Sequence, residues 1–591
     1  MGSHLKANMG LNITEKLRWL EVPHPENKTL SVLKNPDLEP MPQSRCLWGF
    51  WSYFGYWSVP NVSIFTYSIG SALLVLGLNI QQTMGAVTLG NILIIGYTSF
   101  NSTPGSKFKI GFTMCQRMIF GIFGSYLGIL IRILLSIVYY ASMSWLGALG
   151  IVVMLSALSK DYMNMTNTFP LSLNMTRRDF ISFLCFNIVE FFFFFIRPEK
   201  MGPLVNGSCF ITLIAMLGVF GFELHKCYVL TGGPGSMWYE PVSLPKSQIG
   251  WAWLEAITVF YGAVSPNCTN MSDYSRFAKS PKQMYCGIVL SIALTGTLVP
   301  MMGMITASNT LENYGTAMWL PTDVCLQWLQ DDYSSRRRAA AFFCGLAFAS
   351  SQLTFNVLAN GFAGGMDLAG VFPKYINIFR GAAITALLSW ACQPWNFYNT
   401  ASVFNSVMAS FGVVMSPIMG IIISDFHLVR KRRIRVSNLY TMSKSGNFYY
   451  DYGFNWRAYL CFFAATVPGL PGLAAVANTN ITIPIGLMHY FQNSTVFSFF
   501  CPLILYYVLC WFFPLPGQGE IDEYDYFDVF GEKELRQLDM KPFDANHEFE
   551  GMIPLELLST THSHTVIDGL DENESVEHIT VSAKHKKAFD V

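Results

Sequence analysis

Long apolar stretches recur along nearly the whole sequence, and they constrain its fold more than any single motif does. Twelve of them have the length that a helix needs to cross a bilayer, about 20 residues. Their approximate limits are 48–74, 79–100, 123–156, 181–197, 208–229, 252–273, 284–307, 339–368, 380–397, 401–424, 456–477 and 494–514. We therefore expect an all-α integral membrane protein of about twelve transmembrane helices, numbered here as spans one to twelve.

The composition supports this class and excludes others. Of the 591 residues, 52% are hydrophobic and only 13% are charged, whereas soluble proteins carry about a quarter of charged residues. The formal net charge is zero and no basic stripe is present, which argues against a nucleic-acid partner. Histidines and cysteines lack the spacing of a metal site, so we expect neither a metal nor a cofactor.

Charge and polarity divide the chain into a membrane domain and two tails. The predicted divisions are a cytoplasmic N-terminal tail (1–47), a transmembrane domain (48–515) and a cytoplasmic C-terminal tail (516–591). Lysine and arginine collect between alternate spans, most densely in Arg430–Arg435, which places both termini inside by the positive-inside rule. The C-terminal tail is polar and is expected to be disordered, with lysines that a ubiquitin ligase adaptor can reach.

Two spans share a proline motif that predicts a helix break. Span one contains Trp57-Ser-Val-Pro-Asn61, and span six contains Val264-Ser-Pro-Asn267. Proline removes a backbone donor, so both helices are expected to be interrupted near mid-membrane, as at transporter substrate sites. The predicted substrate contacts from these motifs are Trp57, Ser58, Asn61, Ser265 and Asn267. Ordinary proline kinks are the alternative interpretation.

Span eight carries a stripe of amides. Gln352, Asn356 and Asn360 are spaced by four residues, so each is displaced by roughly 40° around the helix and the three share one face. Amides are costly in hydrocarbon, so this face should meet other helices or a wet cavity. We interpret it as one wall of a substrate site; hydrogen bonding between spans is the alternative. The span is expected to end inside the membrane near Gly364.

Several long motifs carry a family resemblance. They are NPDLEP at 35–40, SPNCTNMSDYSRF at 265–277, NGFAGGMDLAGVFPKYINIFRGA from Asn360 and SWACQPWNFYN from Ser389. In these the chain resembles the fungal branch of the nucleobase-cation-symport family one, whose members include thiamine, nicotinamide riboside, uracil and allantoin permeases. The resemblance implies a leucine-transporter-type fold of two inverted five-helix repeats, here 48–229 and 252–424, with two extra helices in 456–514.

The resemblance also implies a function. A member of this family is a secondary active transporter that imports a small heteroaromatic nutrient across the plasma membrane by alternating access. Its ring-binding pattern in span three falls on Tyr139, where a Trp is usual, and on Met143, where a Gln is usual; the edge-binding Asn of span eight falls on Asn360. Thiamine and nicotinamide riboside carry a cationic ring, which we expect Tyr139, Trp145, Trp57 or Tyr56 to cover by cation–π contact, with Met143 as a further substrate contact.

Other functions remain open from the sequence. A uracil, allantoin or other nucleobase permease is the alternative within the family. A multi-span membrane enzyme and a non-transporting nutrient sensor are more distant alternatives.

The coupling ion is expected to be a proton. The sodium-driven members of the family use two adjacent hydroxyl residues in span eight, and this chain has Thr354 followed by a phenylalanine. Candidate proton carriers are Glu190, which precedes five phenylalanines, and Asp273 near the inner end of span six. The alternatives are that Glu190 extends toward the interface or faces Arg197, and that Asp273 forms a salt bridge with Arg276.

Overall fold

The computed structural model describes residues 38–542 apart from positions 197, 241, 243, 373 and 479. Within this part of the chain the secondary structure is helical, with three isolated β-bridges and no sheet. Each predicted span contains a helix. The helix bounds in spans one to twelve are Phe50–Asn61 with Ile64–Leu73, Ile80–Asn101, Tyr126–Leu158, Arg177–Phe193, Gly202–Thr231, Lys246–Thr269, Pro281–Tyr314, Ser335–Asn356 with Phe362–Val371, Ile378–Ser389, Ala401–Ile423, Trp456–Thr466 with Leu470–Ala477, and Ser494–Phe512.

The multi-pass helical architecture is confirmed, but the number of crossings is not. By length and apolar composition, eight helices of the described residues can cross a membrane, or nine if the bent pair in span one counts as one crossing. The helices of spans four and nine are short, with 17 and 12 residues. The count of twelve therefore stays a prediction.

The predicted break in span one is confirmed. The helices Phe50–Asn61 and Ile64–Leu73 meet at an angle of 51°. The extended backbone of Ser63 (φ −144°, ψ 158°) separates them, so the Pro60 carbonyl has no helical donor. The hydroxyls of Ser63 and Thr66 donate to that carbonyl instead, at 2.6 and 2.8 Å. Small polar residues after the proline thus satisfy the backbone that the break exposes.

The predicted break at Pro266 in span six is wrong. The helix Lys246–Thr269 runs through Pro266 and ends three residues later, before the short helix Met271–Ser275. Proline leaves the Gly262 carbonyl without its helical donor. The Tyr139 hydroxyl of span three and the Ser265 hydroxyl donate to that oxygen at 2.8 and 2.9 Å. The helix continues because side chains replace the lost backbone bond.

Span eight also differs from the sequence prediction. It does not end near Gly364, because the helix continues to Val371 after a π-helical turn at Val357–Gly361. Span three crosses it closely: a methyl group on Gly150 would lie 2.9 Å from the backbone nitrogen of Ala349. This close crossing brings the amide stripe against span three.

The C-terminal tail, which we expected to be disordered from residue 516, is folded between residues 516 and 542. Residues 516–542 include the helix Glu532–Leu538, and Asp522 accepts hydrogen bonds from the backbone and hydroxyl of Ser437 at 3.0 and 2.6 Å. Glu534 forms an ion pair with Lys109 at 3.1 Å. The segment therefore packs on the loops between spans two and three and between spans ten and eleven. The lysines predicted as ubiquitin acceptors lie outside the described residues.

Candidate substrate site between spans one, three, six and eight

Spans one, three, six and eight meet around the proline motifs, as the sequence predicted. Pro60, Asn267 and Phe355 line one small cavity of about 10 Å³, about the space that one water molecule needs. Pro60 belongs to span one, Asn267 to span six and Phe355 to span eight. The three helices therefore enclose a tight junction, and Tyr139 of span three reaches span six nearby, at the Gly262 carbonyl.

The amide stripe faces span three and is fully buried. The Asn356 amide donates to the Tyr140 carbonyl at 3.1 Å, to the Ser144 hydroxyl at 2.9 Å and to the Glu190 carboxylate at 2.6 Å. The Asn360 amide donates to the Asn356 carbonyl oxygen at 2.9 Å. Interhelical bonding therefore accounts for Asn356, and the π-helical turn brings Asn360 back into register with it. We call Glu190, Asn356 and Asn360 the amide ladder.

Gln352 lies one turn from Asn356 and behaves differently. Its side chain is fully buried, yet neither its Oε1 nor its Nε2 has a hydrogen-bond partner among the described residues. Buried amides without partners are rare and costly, by about 1–3 kcal/mol for each lost bond. An unpartnered amide on the inner face of span eight is the strongest local sign of a ligand-binding wall.

Other buried polar atoms near this wall also lack partners. They are Tyr56 Oη and Trp57 Nε1 of span one and Tyr140 Oη and Ser142 Oγ of span three. All four belong to aromatic or hydroxyl side chains, which combine an apolar face with one directional hydrogen bond. They belong to spans one and three, whose helices both contact the span-eight helix that carries Gln352.

The remaining span-one residues face away from this wall. Ser58 forms a hydrogen bond with Ser291 at 2.8 Å, and the Asn61 amide donates to Thr295 at 3.0 Å. Both partners are in span seven. Ser58 and Asn61 thus fasten the broken helix to its neighbour, and of the predicted span-one contacts only Trp57 stays unpaired.

Three further predicted contacts, Met143, Ser265 and Trp145, are buried, but two of them already have partners within the protein. Met143 and Ser265 are fully buried, and Ser265 bonds back to its own helix. Trp145 packs against Phe183 and Trp395, with ring centroids 5.9 and 6.0 Å away. Trp145 therefore belongs to the packing between spans three, four and nine rather than to the junction.

An aromatic wall that sequence reasoning missed flanks Tyr139. The Tyr139 ring lies 4.7 Å from Phe411 of span ten and 6.2 Å from Phe65 of span one. Phe404 continues the row 5.8 Å beyond Phe65. The predicted role of Tyr139 as an aromatic contact fits this wall. Nothing in the sequence patterns marks Phe65 or Phe411, because aromatic residues are common in every span.

The three coupling candidates occupy different surroundings. Thr354 bonds to Ser208 of span five at 2.7 Å and so faces away from the junction. Glu190 is fully buried and accepts from Ser144 and Asn356 at 2.6 Å each, which excludes an interfacial, extended conformation. Arg197, its other suggested partner, lies outside the described residues.

Asp273 is 4% exposed and binds the helix that follows span two. Its Oδ1 accepts from the backbone N–H of Phe112 at 2.8 Å, while its Oδ2 has no hydrogen-bond partner among the described residues. The Arg276 side chain donates to the Asp273 backbone carbonyl at 3.1 Å. Asp273 therefore ties the inner end of span six to the loop before span three.

A buried ion pair lies beside Asp273. Arg132 of span three and Asp367 of span eight are 2.9 Å apart, with side chains 2% and 1% exposed. The guanidinium also lies 5.0 Å from the Phe112 ring and 3.5 Å from the Pro266 carbonyl oxygen. The pair thus joins spans three, six and eight on the side of the junction that carries the N-terminal segment.

A larger cavity opens on that same side. It has a volume of about 530 Å³, and its lining includes Arg45, Phe194, Arg276, Phe362 and Met366. Its lining includes two residues of span eight, Phe362 and Met366, which follow Asn360 by two and six residues. This size suits a drug-sized molecule, so the cavity is a candidate path from the junction to the surface on the side of the N-terminal segment.

Known proteins share both the sequence and the fold. A family model described as permease for cytosine/purines, uracil, thiamine, allantoin matches residues 40–495. Nicotinamide riboside transporter 1 of Saccharomyces cerevisiae is 39% identical over 98% of this chain and 96% of its own length. A thiamine transporter of the same yeast is 38% identical over 99% of this chain and 97% of its own length.

A solved structure shows the architecture. It is Mhp1, a nucleobase-cation-symport-1 family transporter, in a closed conformation with bromovinylhydantoin bound. It is 18% identical, with a TM-score of 0.61, and the match covers 86% of this chain and 99% of Mhp1. The predicted inverted-repeat transporter fold is thereby confirmed.

Proposed function

Since the chain belongs to the family of permeases for cytosine and purines, uracil, thiamine and allantoin, we propose that it imports thiamine or nicotinamide riboside across the plasma membrane. It is a multi-pass membrane transporter for a small molecule and not an enzyme, like the transporters that it resembles. The proposed mechanism is alternating access. We also place both termini in the cytoplasm, because the basic segments lie between alternate spans.

The observation that carries the substrate proposal is the wall of unpartnered buried polar atoms. Gln352 is buried in the span-eight helix that packs on spans one and three, where Trp57 Nε1 also lacks a partner, and Tyr139 of span three belongs to the aromatic wall. Aromatic faces attract a cationic ring, and an amide and hydroxyls supply the directional bonds that a neutral polar edge needs. Both proposed substrates combine a cationic heteroaromatic ring with an amino or carboxamide group.

Uptake in yeast that lacks its own permeases tests this proposal. Cells expressing the chain should accumulate labelled thiamine or labelled nicotinamide riboside, and excess unlabelled compound of the same kind should abolish the signal. Exclusive accumulation of uracil or allantoin would assign the alternative nucleobase function. Surface expression without uptake of any of the four compounds would favour a sensor and overturn the transport proposal.

The family implies a co-transported cation, and we propose that it is a proton. Thr354 bonds to Ser208 of span five and is followed by a phenylalanine, so it is not one of two adjacent hydroxyl residues of the kind that sodium-driven members use. Asp273 is the better carrier candidate, because its Oδ2 is buried and unpaired whereas both oxygens of Glu190 are bonded. Asp273→Asn is therefore expected to abolish the pH dependence of uptake at normal surface expression, and an unchanged pH profile would remove Asp273 from the pathway.

The tails supply the remaining part of the proposal. The chain beyond residue 542 contains Lys584, Lys586 and Lys587. We propose that a ubiquitin ligase adaptor uses this lysine cluster to withdraw the transporter from the membrane. Replacing the three lysines by arginine should lengthen the surface lifetime of the protein without changing uptake per molecule.

A further inference from the structure

Among the buried carboxylates of the described spans, Glu190 is held in an unusual way. Asp367 pairs with Arg132 at 2.9 Å, and Asp425 pairs with Arg430 at 2.8 Å. No ion pair among the described residues includes Glu190, whose partners are a serine hydroxyl and an asparagine amide. A buried carboxyl group that lacks a cation is costly to ionise, so its presence in a membrane helix points to a functional role.

Two other buried carboxylates of the described spans, Asp273 and Glu223, also lack an ion pair but differ in location; Asp273 binds the backbone N–H of Phe112. Glu223 of span five accepts from the Trp328 indole at 2.6 Å, the Asn313 amide at 2.8 Å and the Tyr314 hydroxyl at 3.0 Å. These partners belong to the end of span seven and the helix Pro321–Asp331. Glu223 therefore fastens an external helix, whereas Glu190 is connected to the candidate substrate site.

The connection is the amide ladder. The Glu190 carboxylate accepts hydrogen bonds, so it draws the Asn356 amino group toward itself, and the Tyr140 carbonyl reinforces that orientation. The Asn356 carbonyl oxygen then points away and accepts the Asn360 amino group. The last group in the series is the Asn360 carbonyl oxygen, for which the described residues provide no donor. Every dipole in the ladder thus presents its negative end toward Asn360.

We propose that Glu190 is the counter-charge that makes the substrate site selective for cations, acting through Asn356 and Asn360. The proposal rests on the proposed function and names the property of the substrate that the site reads. In a low-dielectric interior a carboxylate two hydrogen bonds away attracts a cationic ring, and the aligned amides add to that attraction. A neutral ring of the same shape makes the same packing contacts but lacks the electrostatic attraction. Glu190 is therefore a positioning residue that sets charge preference.

Matched ligand pairs that differ in ring charge test this role. One pair is nicotinamide riboside and its neutral dihydro form; the other is thiamine and the analogue in which a neutral thiophene replaces the thiazolium ring. Competition against labelled uptake gives an inhibition constant for each compound. The wild type should prefer the cationic member of each pair, and Glu190→Gln should reduce that preference at least tenfold.

Three further variants sharpen the result. Glu190→Asp keeps the charge and should retain the preference. Glu255→Gln is the matched control, since Glu255 also binds a side-chain amide, that of Gln492 at 3.0 Å, but lies outside the ladder. In the double variant Glu190→Gln/Asn360→Asp the negative charge is placed at the other end of the ladder, so the cation preference should return. This double variant also serves as the test if Glu190→Gln alone does not fold.

The outcomes separate the two proposals. If Glu190→Gln retains the cation preference, or loses pH dependence while the preference is unchanged, the counter-charge role is overturned. A double variant that does not prefer cations would overturn it as well. If the wild type is inhibited by neither thiamine nor nicotinamide riboside, the proposed function fails instead, whatever the variants show.

Discussion

Glu190 and Asp367 are buried carboxylates that both face span three, yet their charges are balanced in opposite ways. Asp367 meets the Arg132 guanidinium at 2.9 Å, so its charge is cancelled within the protein. Glu190 meets Ser144 and Asn356 and no cation, so no charge within the described residues cancels its own when it ionises. The first arrangement fixes three helices to one another, and the second leaves a field that a passing cation can use. The comparison therefore separates a structural charge from a charge available to the substrate.

The largest expected effect comes from breaking the cancelled pair. Asp367→Leu leaves Arg132 buried without a counter-ion and is expected to cost about 3–5 kcal/mol of stability. The double variant Arg132→Met/Asp367→Leu should recover most of that loss, because neither charge of the pair remains. Thermal unfolding of the purified protein in nanodiscs measures both. Equal losses in the single and double variants would contradict the ion-pair account, and Glu190→Gln, which keeps the side-chain shape, should lose much less.

Asp522 extends the comparison to a carboxylate outside the membrane that is also held by neutral donors. Burial raises the pKa of Asp522 to about 6, against the lowering effect of the Ser437 hydrogen bonds. The pKa of Asp522 in the folded protein lies above the ordinary value of 3.8, so protonated Asp522 stabilises the folded segment. This contribution to the free energy of unfolding is complete below about pH 4 and is lost as the pH rises through about 6. A rise of about two units corresponds to about 3 kcal/mol.

Hydrogen exchange in the segment 516–542 measures this effect. Its amides should be better protected at pH 5.5 than at pH 7.5 after correction for intrinsic exchange rates. Asp522→Asn is the control, because its side chain cannot ionise and the pH difference should disappear. Equal pH dependence in the variant would assign the effect to another group.

A smaller effect is expected where a polar group has no partner at all. Gln352→Leu removes an unpartnered buried amide and should leave the substrate-free protein as stable or more stable, by about 1–3 kcal/mol, while uptake falls. Gln116→Leu is the matched control, since both atoms of that buried amide are also unpartnered but lie in the helix Phe112–Phe120. It should match the change in stability without the loss of uptake. Unaltered uptake in Gln352→Leu would remove Gln352 from the site.

The smallest expected effect tests the hydroxyl that replaces a backbone bond in span six. Tyr139→Phe removes the 2.8 Å bond to the Gly262 carbonyl but leaves the one from Ser265, so a loss of about 1 kcal/mol is expected. Tyr261→Phe is the control, because its buried hydroxyl has no partner in the described residues. Indistinguishable melting curves for the two variants would show that the Tyr139 bond contributes nothing.

The sequence by itself determined the helical membrane class, the break after Pro60 and the inward amide face of span eight. Each of these depends on local chemistry: long apolar runs, a missing backbone donor and a spacing of four residues. The family motifs added the inverted-repeat fold. These features could be predicted because a residue's immediate neighbours in the chain decide them.

Only the tertiary structure decided how each polar group is used. Pro60 and Pro266 have similar flanking residues and both lie inside a helix, yet the span-one helix ends one residue later and the span-six helix three residues later, where Tyr139 of span three and Ser265 donate to the Gly262 carbonyl. Asn356 and Gln352 look alike in the sequence, yet Glu190 is bonded to Asn356 whereas Gln352 is left unpartnered. Hydrogen bonds between helices far apart in the chain make these distinctions, and no local pattern encodes which partner a buried donor will meet.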